Sequence, residues 1–128
     1  MNSVAQSEPS AEFLDDLHRE LTSQPGTFLA GLRMLRWDRD SFQHLAGLMN
    51  RACVLYSRRE LLDRWLVEGA DFIAEFVPEW TSHPKFPRPG ELSYYESAYN
   101  ELRLLKRWLI TGLKPAELED QEASSQPR

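Results

Sequence analysis

The sequence predicts an all-α fold, a compact bundle of four to five helices with disordered N- and C-terminal tails. Three observations carry this. Apolar residues recur at three- and four-residue steps through most of the chain, the period that gathers side chains on one helix face. Ser, Thr and Asp caps and Pro and Gly breakers divide the chain into helix-length segments. Val, Ile and Thr are scarce, and no stretch alternates apolar and polar residues as a strand would. At 128 residues the chain can bury a core as one domain without disulfide or metal staples. The boundaries read as a disordered N-terminus over 1–9, a bundle over 10–112 and an acidic disordered tail over 113–128.

The elements follow in order. Ser10 caps a first helix whose opening turns carry Glu12, Asp15 and Asp16, negative charge suited to the positive end of the helix dipole. Phe13, Leu14, Leu17 and Leu21 form its apolar side, and Pro25-Gly26 ends it. Thr27 caps a short second helix with Phe28, Leu29, Leu32, Leu35 and Trp37 facing inward. A turn over 38–41 follows. Asp40 with Gln43 then caps a third helix through Phe42, Leu45, Leu48, Met49, Ala52, Cys53, Leu55 and Tyr56.

The stretch from Ser57 to Pro84 carries the heaviest apolar stripe. Ser57 and Glu60 fit a capping box, so a fourth helix is expected to start at Ser57, paired tightly with the third or continuing it as a bent rod. Leu61, Leu62, Trp65, Leu66, Gly69, Phe72, Ile73, Phe76 and Trp80 share one face, and Trp65, Phe72 and Phe76 are expected in the core. Pro78 lacks an N–H and disfavours helical geometry before it, so a kink or break is expected there. The loop from His83 to Gly90 holds Pro84, Pro87 and Pro89, which stiffen it toward an extended path. A last helix from Glu91 to Leu109 buries Leu92, Tyr95, Ala98, Leu102, Leu105, Trp108 and Leu109, and Gly112 stops it.

The net charge of −5 argues against nonspecific nucleic-acid or membrane-surface binding, both of which favour a basic excess. No apolar run reaches membrane-spanning length and no leader segment is recognisable, so a cytoplasmic location is expected. The acidic first helix is expected to pair with the basic stretch from Arg33 to Arg64. Cys53, the only cysteine, lies in an apolar run and reads as a small buried hydrophobe.

Little points to catalysis. His18, His44 and His83 are far apart, with no metal-ligand spacing on one helix, so no metal and no cofactor are expected. There is no phosphate loop, nucleophile elbow or dinucleotide fingerprint. The run Arg39-Asp40-Ser41-Phe42-Gln43-His44 does follow the order Arg-(Asn/Asp/His)-x-x-x-His at a helix start. This resembles the HEPN family of helical ribonucleases. The resemblance implies a bundle that dimerises, with arginine and histidine of two protomers forming a metal-independent RNA-cleaving site. Arg39 would stabilise phosphate charge and His44 would assist proton transfer. Read without it, Arg39 makes a surface ion pair, Asp40 caps the helix and His44 sits on a solvated or half-buried face.

The expected function is that of a small non-enzymatic interaction subunit or adaptor with a protein partner. Its surface is placed at Trp80, His83, Phe86, Arg88 and Tyr94, since stiff loops with aromatics and arginine lose little entropy on binding. Phe86 has a second reading, as the residue that pins the loop into the core. The alternatives are the ribonuclease of Arg39 and His44, and a homodimer whose seam is the stripe around Trp65 and Phe72.

Overall fold

The computed structural model describes residues 9–115, and the disorder expected at the two ends falls almost wholly on residues outside them. Among the described residues there are five helices and no strand: α1 Ala11–Leu21, α2 Phe28–Arg33, α3 Arg39–Tyr56, α4 Arg64–Thr81 and α5 Leu92–Thr111. The all-α expectation holds.

The first two caps form as read. Ser10 Oγ accepts from the Phe13 N–H at 3.1 Å and Thr27 Oγ1 from the Ala30 N–H at 3.3 Å. Both helices close by the same device. The Gln24 N–H returns to the Arg19 carbonyl and the Ser23 N–H to Glu20; the Arg36 N–H returns to Gly31 and the Leu35 N–H to Leu32. These are paired Schellman bonds, which need a left-handed residue after the helix. Glycine usually fills that place, yet here Ser23 (φ 59°) and Leu35 (φ 62°) do. Leu35 is consequently exposed, not inward as expected. Gly112 (φ 76°) does end α5, its N–H bonding the Trp108 carbonyl at 2.7 Å.

Two starts differ from expectation. Helix α3 begins one residue after Asp38, whose carboxylate accepts from Ser41 Oγ at 2.6 Å, and Asp40 lies inside its first turn. Ser57 opens no helix. It keeps helical geometry (φ −62°, ψ −24°) and its hydroxyl donates back to the Val54 carbonyl, so it closes α3. Leu61 is therefore left 88% exposed in the link before Asp63 and α4. Nor does Pro78 break α4, which runs on to Thr81.

Helix α5 packs against α3 on one side and α4 on the other, α1 also touches both, and α2 is wedged among α1, α3 and α4. The main contacts thus run round a ring in which α3 and α4 stand diagonally, not as a tight pair. The core contains Leu17, Leu29, Leu32, Leu45, Ile73 and Leu102, all buried, and each such side chain contributes about 2 kcal/mol by leaving water. Gly69 lets α4 approach α1: a Cβ there would fall 2.8 Å from Leu21 Cδ1. No helix among the described residues is long and apolar enough to cross a membrane.

Candidate functional site

The buried face of α4 is Leu66, Ala70, Ile73, Val77 and Thr81, one residue round from the aromatic stripe. Small and β-branched side chains allow the close contact with α5 and α1, and the large rings are turned to the rim. Phe72 is 42% exposed, while Trp65 and Phe76 are half-buried, which corrects their expected core placement. Phe72 and Phe76 stack at 5.0 Å between centroids (14° interplanar), and Phe76 and Trp80 at 5.5 Å (19°). The stack is fastened to α2 at one edge. Trp80 Nε1 donates to the Leu32 carbonyl at 2.6 Å, and the Arg33 guanidinium lies over Phe76 at 5.9 Å.

The other residues assigned to a partner surface do not join Trp80 in one patch. Phe86 is only 4% exposed, its N–H bonded to the His83 carbonyl at 2.9 Å, so it pins the proline loop into the core and has no ring to present. His83 is exposed and its Nδ1 accepts from the Lys85 N–H. Arg88 lies over Tyr95 at 5.7 Å. Tyr94 is half-buried: its hydroxyl accepts from Trp37 Nε1 at 3.0 Å, and the Arg39 guanidinium covers its ring at 3.8 Å. Trp37 itself is ringed by Phe28, Phe42, Tyr95 and Tyr99, an aromatic knot that joins the α2–α3 link to α5.

Arg39 and His44 face different neighbours. Arg39 packs on Tyr94 of α5, whereas His44 Nε2 lies 3.1 Å from Asp16 Oδ2 and 3.8 Å from Glu20 Oε2 of α1. Ligand atoms of Asp16, Glu20 and His44 all fall within 4.8 Å of one another. Sequence reasoning missed this group because its histidine comes from a second helix; the only signal was the Asp16/Glu20 spacing of four, which puts both on one face. Two carboxylates and an imidazole are a donor set that could hold a divalent cation. As it stands the imidazole contacts both carboxylates directly. Glu20 is 5% exposed; burial pushes its carboxyl above the usual range, opposed by the Phe28 N–H and by His44.

Cys53 is buried and its thiol donates to the Leu105 carbonyl at 3.3 Å. Burial pushes its pKa up to about 12, so it holds no thiolate with which to attack a substrate. No protein-family model matches the chain, and neither a curated protein nor a solved structure matches it significantly.

Proposed function

We propose that the chain is a protein-interaction subunit that docks its partner on the outer face of α4. The observation supporting this is the Phe72–Phe76–Trp80 stack, three rings held in register along the rim of a helix with Phe72 open to water. Contiguous exposed apolar surface of this kind marks contact sites, and aromatic and arginine side chains dominate the energetics of interfaces. Trp80 is fixed by the Leu32 carbonyl and Phe76 is covered by Arg33. Little side-chain freedom remains to be lost on docking. Trp80 thus keeps the role read from sequence, while the rest of the surface moves from the proline loop to the preceding helix.

The test is a tagged pull-down from lysate of the source cell, with and without nuclease, run in parallel on the wild type and on Phe72→Ser. A protein recovered in stoichiometric amount with the wild type in both halves, and reduced at least tenfold with a Phe72→Ser chain of near-unchanged Tm, is the expected result. The same proteins on both chains would remove this face from the function. Recovery that depends on RNA would point instead to Arg39 and His44.

A further inference from the structure

The stack on α4 has an acidic border. Glu68 lies four residues before Phe72, Glu75 three after it, and Glu79 three after Phe76, so the three carboxylates line the solvent side of the rings. All three are exposed, and none has an ion-pair partner among the described residues. Their neighbour Asp71 differs: it turns toward α5, where Lys106 Nζ holds it at 2.6 Å. On the opposite border stands Arg33, already laid over Phe76. The result is an apolar strip about 12 Å long from Phe72 to Trp80, flanked by three unpaired carboxylates; the cations nearest that border, Arg103 and Lys106 in the groove beside Glu75 and Glu79, bond Asn100 and Asp71 instead. Glu75 and Glu79, one turn apart, also repel each other.

Resting on the interaction reading above, we infer that the occupant of this face is a basic amphipathic helix. Its aliphatic or aromatic side would lie on Phe72, Phe76 and Trp80, and its lysines or arginines would meet Glu68, Glu75 and Glu79. Complementary charge of this kind sets partner choice and speeds association, and an apolar stripe laid along another helix is a recurring recognition mode. Two other occupants fit poorly. The segment beyond Pro115 carries Glu117, Glu119, Asp120 and Glu122 against Arg128, the wrong sign for an acidic border. Across this face a second copy would bring its own Glu68, Glu75 and Glu79 against the same three carboxylates, with its Arg33 laid over Phe76 and its Lys106 held by Asp71.

The experiment pans a random 16-residue peptide display library on the full chain and measures enriched peptides by fluorescence anisotropy against three proteins. These are the wild type, Phe72→Ser, and the triple variant Glu68→Gln, Glu75→Gln, Glu79→Gln. The expected peptides pair Lys or Arg with apolar residues at helical spacing, lose at least tenfold in affinity on the triple variant, and weaken steeply with salt. Phe72-dependent peptides that are neutral or acidic, or that bind the triple variant as tightly as the wild type, would overturn the basic partner while sparing the interaction face. Failure to enrich any Phe72-dependent peptide would overturn both. Sedimentation that shows Phe72-dependent self-association would assign the face to a second copy and likewise overturn the basic helix.

Discussion

At the scale of single residues, five arginines among the described residues are laid over aromatic rings. Arg33, Arg39, Arg51, Arg59 and Arg88 lie over Phe76, Tyr94, Phe13, Tyr56 and Tyr95, each contact contributing about 0.5–1 kcal/mol at an exposed site. The pairing expected between the acidic first helix and the basic middle is represented by His44 with Asp16 and Glu20. Glu20 is the residue whose chemistry is most altered. Its carboxyl pKa is raised by burial, with Asp16 adding to the rise and the Phe28 N–H, His44 and Arg19 opposing it. The folded chain therefore binds that proton more tightly than the unfolded chain does, and the stability this gives is present below the ordinary carboxylate range and lost as pH climbs through the raised value. Glu20→Gln, which stays neutral and can still accept from Phe28, is expected to match the wild-type Tm near pH 4 and to exceed it by a few degrees at pH 7. A Tm difference that shrinks or reverses across that range would contradict the assignment.

At the scale of elements, the caps and stops were legible where local chemistry decides them. Ser10, Thr27 and Gly112 do what their side chains, or the lack of one, dictate. The phase of α4 was not. Periodicity finds an apolar arc, but Trp65, Phe72, Phe76 and Trp80 widen that arc beyond the part that packs, and only the approach of α1 and α5 decides that Ala70, Ile73 and Val77 face inward. Ser57 failed as a start for a related reason. A capping box is a local option, and here the buried Tyr56 and the end of α5 hold Ser57 in the last turn of α3 instead. The Ser57 carbonyl lies so near Gly112 that a Cβ there would sit 2.8 Å from its oxygen. Gly112→Ala meets both that backbone contact and the left-handed φ of 76°, and is expected to cost about 1–3 kcal/mol. Urea unfolding measures it: a lowered midpoint with unchanged slope is expected, and an unchanged midpoint would mean the two helix ends do not meet in solution.

At the scale of the whole molecule, the ring of α1, α3, α5 and α4 is closed at one end by the proline loop, and Phe86 is its fastening. The sequence offered Phe86 as either a recognition ring or a core ring, since an aromatic among prolines suits both; burial selects the second. Phe86→Ala should accordingly cost about 3–5 kcal/mol and lower Tm steeply, whereas Arg88→Ala, losing its contact with the face of Tyr95, should cost about 0.5–1 kcal/mol. Equal, small losses in thermal melts of the two variants would return Phe86 to the surface. The fold class was readable from period and punctuation alone, but the Asp16–Glu20–His44 group and the Trp37 knot were not, because each joins residues from elements whose adjacency only packing creates. The left-handed leucine between α2 and α3 adds a different kind of information. Glycine at Leu35 would relieve about 1 kcal/mol of backbone strain, so the chain forgoes a stabilising substitution that lies a single residue away and keeps an exposed side chain in its place. Proteins sit only just above the stability they need, and the left-handed leucine marks a place in this chain where stability remains to be gained.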